Sequence, residues 1–148
     1  MRVRSSVVAG LAAVASAAGV GAACGSGGQP PPVVVALAGQ TVPTTKLQTI
    51  AAGVCDAARQ ASTGVDAARQ TFFGTSHDGI HLIARGLEDK DRGAAATLLE
   101  TKQKVEADFA ASPPPPGAQI AADLSRLAAV TRTSLARFKV SAEACPPS

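Results

Sequence analysis

The chain has 148 residues, 46% of them hydrophobic, with a formal net charge of +3 and three cysteines. It contains neither Trp nor Tyr, and its one Met is the first residue; this removes the aromatic platforms on which bases stack and excludes a thioether copper site. Loss of Arg2 and Arg4 with a cleaved leader brings the charge from +3 to +1, too little for the concentrated basic face that nucleic-acid binding needs.

The opening MRVR is followed by a run without charge from Val7 to Ala23. A basic head, an apolar middle and small residues before a cut are the parts of a secretory signal. The run is rich in Ala and Gly and short for a permanent span, so cleavage is expected. Val20-Gly21-Ala22-Ala23-Cys24 resembles a bacterial lipobox, although Gly21 stands where Leu or Val is usual. The resemblance implies a signal peptide over 1–23, an acyl chain on Cys24 and a location on the extracytoplasmic face of the cell membrane. The alternative is plain secretion, with Cys24 left as a free thiol. With lipid on Cys24, Cys55 and Cys145 remain as a disulfide pair for an oxidising compartment.

GSGGQPPP, 25–32, reads as a flexible spacer, and the expected organisation is a tether over 24–43 followed by one helical domain over 44–148. The valine run in VVVALAGQTV, 33–42, favours an extended segment. From Thr44 the period changes. Leu47, Ala51, Val54, Ala58, Ala61, Val65, Ala68 and Phe72 recur at helical steps along one face. Gly53 and Gly64 weaken that helix, and a break is expected near Ser62-Thr63-Gly64. Phe73-Gly74-Thr75-Ser76 reads as a stop and a new start, with Thr75 and Asp78 spaced as a capping box. Ile80, Ile83, Ala84 and Leu87 then form an apolar face, and LEDKDRG, 87–93, is a turn or a solvated stretch of one long helix. The next helix, 94–111, turns Leu98, Leu99, Val105 and Phe109 inward, with Glu100/Lys104 and Lys102/Glu106 as ion pairs on its wet side. Four prolines from Pro113 to Pro116 end it. Ile120, Leu124, Leu127, Thr131, Leu135 and Phe138 mark the last helix.

These elements give an all-α fold, an antiparallel bundle of three to four helical segments. The cysteine pair favours four. In three long alternating helices, Cys55 and Cys145 would lie far apart at 1.5 Å per residue, whereas a turn near 88–93 brings them to one end, unless the tail after Phe138 folds back.

His77-Asp78-Gly79-Ile80-His81 is the stretch most suggestive of chemistry. Histidines at i and i+4 share a helix face and can reach one Zn or Cu ion, with Asp78 or Glu88 as an oxygen donor. Arg85, one further turn along, would set a cation beside that metal. The competing reading puts Asp78 in a capping turn, His77 at the surface and His81 on the polar edge of the bundle. Glu-x-x-His pairs, a CxxCH haem site, a nucleophile elbow and a phosphate loop are all missing, and no catalytic group stands out.

DRGAAATLLETKQKVEADF, 91–109, together with HDGIH, resembles small Ala-rich lipoproteins of high-GC Gram-positive bacteria. That resemblance implies location and a helical fold but no activity. The expected function is a non-enzymatic, lipid-anchored envelope module that binds or scaffolds. It needs no cofactor, and its partners are the membrane, through the anchor on Cys24, and an envelope protein or small ligand. The alternative is an envelope metal-binding protein using His77 and His81.

Overall fold

The structure, a computed structural model, describes residues 31–145. The expected leader over 1–23, the expected lipidation site Cys24 and the first part of the expected spacer lie outside the described residues.

The described chain begins with strands β1 (Val34–Leu37) and β2 (Gln40–Pro43), paired antiparallel with Leu37 opposite Gln40. Helices α1 (Thr44–Ala61), α2 (Val65–Thr71), α3 (His77–Leu87), α4 (Arg92–Ala110) and α5 (Gly117–Ala136) follow. A π turn over Phe72–Ser76 joins α2 to α3, so these two act as one helical rod. Four rods result, and they close a ring: α1 packs on α2 and α5, α3 on α4, and α4 on α5. This is the four-rod antiparallel bundle. Among the described residues no helix is long and apolar enough to cross a membrane.

The predicted stripe supplies much of the core. Leu47, Ala51, Val54, Ala58, Ala61, Ala68 and Phe72 are buried with Ile80, Ile83, Leu87, Leu98, Val105, Leu124, Leu127 and Leu135. The expected break at 62–64 is present. The Ser62 and Thr63 hydroxyls donate to the carbonyls of Arg59 and Gln60, each at 3.1 Å, occupying acceptors that the helix end leaves open. The break at 88–91 is present too. Asp91 accepts from the Ala94 amide at 3.0 Å and so starts α4.

Two expectations need correction. First, the stop and start at 73–76 do not occur. Thr75 lies inside the π turn, and Asp78 Oδ1 is engaged by the His77 ring rather than by a capping amide. The helix continues because the wide turn seats Ser76 against α1, where its hydroxyl donates to the Ile50 carbonyl at 2.8 Å. That crossing is tight. A Cβ on Gly53 would meet Ser76 Oγ at 2.5 Å, and one on Gly79 would meet Ile50 Cδ1 at 2.3 Å. Gly53 lowers the helix propensity of α1, as the sequence implies, but it is what lets the two rods approach.

Second, the folded body starts about ten residues before the expected boundary at 44. The hairpin buries Leu37 and Val42, with Leu37 packed over Gly86 beside Phe138. Its two-residue turn, Ala38-Gly39, has φ of 48° and 75°, the doubly positive form that matches strand twist.

The cysteines meet by both routes that the sequence left open. Cys55 and Cys145 are joined at 2.05 Å, in a bundle of four rods whose tail also folds back. After α5, the amides of Lys139 and Val140 donate to Ala136 and Leu135 at 3.0 and 3.2 Å, with Lys139 at φ 59°. This Schellman arrangement reverses the chain. The tail then runs along α1, tied by Gln48 Nε2 to the Ser141 carbonyl at 2.9 Å.

Candidate functional site

The unusual chemistry of the chain collects at the π turn. Phe72 faces inward and is fully buried, which leaves its neighbour Phe73 outside at 41% exposure. Successive residues of a helix point about 100° apart, and here that rotation carries Phe73 off the buried face. Phe73 is the largest exposed apolar side chain among the described residues. Its ring lies 5.2 Å from that of Phe72, 5.2 Å from the His77 imidazole and 6.1 Å from Phe109. One turn further, the His81 ring sits edge-on to His77 with centroids 5.1 Å apart. Three of the four phenylalanines and both histidines therefore form one corner.

His77 is fixed by a polar network, from exposed Asp78 on one side and half-buried Glu106 on the other. Its Nδ1 pairs with Asp78 Oδ1 at 2.9 Å and its Nε2 with Glu106 Oε1 at 2.8 Å. The same Glu106 oxygen accepts from Lys102 Nζ at 2.6 Å. Lys102 is only 2% exposed, so the Lys102/Glu106 pair expected on the wet face is on the inner one. Lys104 likewise pairs with Asp108 and Asp123 rather than with Glu100.

The electrostatics follow from these contacts. Burial pushes the Glu106 carboxyl up, yet the hydrogen bonds from Lys102 and His77 outweigh it and hold the group below the usual carboxylate range. The hydrogen bond from His77, then its charge, lowers Asp78. Partial desolvation of the His81 ring, with Lys102 and His77 nearby, keeps its value below that of a free histidine.

His77, His81 and Asp78 are thus brought together on one face, as their spacing implies. The carboxylate that completes the group is Glu106 from α4, not Glu88, and the cation beside it is Lys102. Both nitrogens of His77 are occupied by carboxylate oxygens, so a metal would have to displace one of them. Among the described residues no three His, Cys, Asp or Glu side chains converge as a metal site. Sequence reasoning named Lys102 and Glu106 only as a surface pair. A signal was available, because Lys102 falls on the stripe of Ala95, Leu98, Val105 and Phe109 that α4 buries.

A separate concavity lies elsewhere among the described residues. An open groove of about 800 Å³ separates α1 from the returning tail, lined by Thr45, Gln48, Ala52, Arg59 and Glu143 beside Cys55. Asp56 and Arg59 form an ion pair of 2.6 Å there.

No protein-family model matches the chain, and no curated protein or solved structure matches it.

Proposed function

We propose that this protein is a lipid-anchored, non-enzymatic binding module of the cell envelope, which presents the corner around Phe73 to a partner. The observation that supports this reading is the exposed Phe73 ring on a rigid base. An apolar side chain left in water beside His77, whose ring adjoins His81 and is held by Asp78 and Glu106, has the makings of a recognition anchor: an aromatic centre with a polar rim. π turns inside helices also recur at functional positions. The leader and the lipobox-like Cys24 supply the proposed location.

The alternative reading, a metal carrier, draws on the closeness of His77 and His81. The two readings separate in one set of experiments. A photo-crosslinking benzoylphenylalanine at position 73, in cells carrying the full chain, is expected to give one discrete adduct. The same probe at the exposed Thr133, on the far rod, gives none. Native mass spectrometry with Zn²⁺ and Cu²⁺ is expected to show no tightly held ion. An ion retained by the wild type and lost in both His77→Ala and His81→Ala, with no adduct at position 73, would replace the binding module by the metal carrier.

A further inference from the structure

We propose that the hairpin end of the bundle docks on the surface of an anionic bilayer; this rests on acylation of Cys24 as proposed above. Val33 and Val34 are 70% and 46% exposed. Together with Phe73 they are the exposed large apolar residues of the described chain. Two valines alone would be an ordinary surface feature. Their position in the chain singles them out. Nine residue steps separate Val33 from Cys24, so an acyl chain on that cysteine holds Val33 within about 30 Å of the headgroups, even at full extension.

The residues around the valines suit such a surface. Val33 is fixed to the start of α1, its carbonyl accepting from the Thr44 amide at 2.8 Å. The hairpin is seated by Leu37 on Gly86 and Phe138. Lys90 Nζ lies 5.8 Å from the centre of the Phe138 ring, and Arg137 reaches Asp91 at 3.2 Å. The first turn of α1, the turn at 88–91, the start of α4 and the end of α5 therefore share this end of the bundle. They bring the exposed cations Lys46, Lys90, Arg92, Arg137 and Lys139 there, against the acids Glu88, Asp89 and Asp91. An excess of positive charge around exposed valines, beside a lipid anchor, is what an anionic leaflet attracts. Phe73 lies thirteen residues before Gly86 on the same rod, about 20 Å along its axis. Docking through the hairpin thus holds the Phe73 corner away from the lipid and open to a partner.

The test uses the mature chain extracted from the membranes of an exporting bacterial host. It is placed in nanodiscs of phosphatidylglycerol and phosphatidylcholine with a nitroxide on a headgroup. Amide relaxation enhancement is expected to be several-fold stronger over 33–40 and at Lys90 than over 72–81. It should fall in discs of phosphatidylcholine alone. The double variant Val33→Asp with Val34→Asp should lose it while the amide shifts of the bundle stay in place. Uniform enhancement, a maximum over 72–81 or no change without phosphatidylglycerol would each overturn the docking. Flotation with liposomes of the same lipids separates the two readings. A wild-type chain that floats no better than Cys24→Ala refutes the anchor, whereas one that floats without hairpin enhancement refutes only the docking.

Discussion

Lys102 is the residue on which the corner depends. Its ammonium is buried and has Glu106 as partner, and a buried charge left alone is far more costly than an apolar side chain of the same size. Glu106→Gln is therefore expected to cost about 3 kcal/mol in urea unfolding at pH 7, the lower end of the range for buried pairs, since Glu106 keeps some solvent. Lys102→Met fills the same space and should cost less than about 1 kcal/mol. The reverse order would show that the pair stabilises through its charges. The pH dependence has a definite sign. The folded value of His81 lies below the ordinary 6.5, so on acidification the unfolded chain takes up that proton first. This contribution is fully present above pH 6.5 and is lost as pH falls through 6.5 toward the folded value. Glu106, lowered from 4.5, contributes above about pH 4.5, and that is lost as pH falls through its folded value. Unfolding curves from about pH 7.5 to 5.5 should show a fall in stability that His81→Gln flattens.

Among the elements, the rods and their inward faces were legible in the sequence because helical period reports burial directly. The period does not report where a helix turns. The stripe from Leu47 to Phe72 stays in phase across the break at 62–64, and only Ser62, Thr63 and Gly64 mark it. The π turn was illegible for a related reason. Phe73-Gly74-Thr75-Ser76 has the local chemistry of a helix end, and the hydrogen bond from Ser76 to Ile50 that keeps the helix going comes from another rod. The hairpin was hidden because Ala38 holds the turn position where Asn or Gly is usual. Lys139 is a similar case at the end of α5. A non-Gly residue in left-handed geometry is strained, so Lys139→Gly should stabilise the fold by about 0.5–1 kcal/mol. Gly79→Ala should act in the opposite sense, since its Cβ would overlap Ile50, and should cost about 1–3 kcal/mol. Thermal unfolding of the two variants checks both signs.

The whole molecule is a light core held by one covalent closure. Many of its buried side chains are alanines, and each contributes little area. The disulfide closes a separation of 90 residues, for which loop entropy gives about 4–5 kcal/mol. Cys145→Ser should lower the unfolding free energy by about 4 kcal/mol and free the tail from α1, both visible in urea titrations and hydrogen exchange at Gln48. The bundle sets two features apart along the rod that carries Phe73 and Gly86. One is the hairpin, whose Val33 follows the proposed anchor Cys24 by nine residues in the chain, and the other is the Phe73 corner, about 20 Å away along the rod. The corner itself was half legible. The spacing of His77 and His81 put them on one face, but the buried Lys102 and its role beneath them required the packing of α4 on α3. The measurement that bears most directly on this arrangement is the intact mass of the protein extracted from the membrane of an exporting bacterium. A chain beginning at Cys24 with added acyl mass, replaced in Cys24→Ala by a species without lipid, is the expected result. A chain cut before Cys24 with its thiol free, or one retaining residues 1–23, would contradict it.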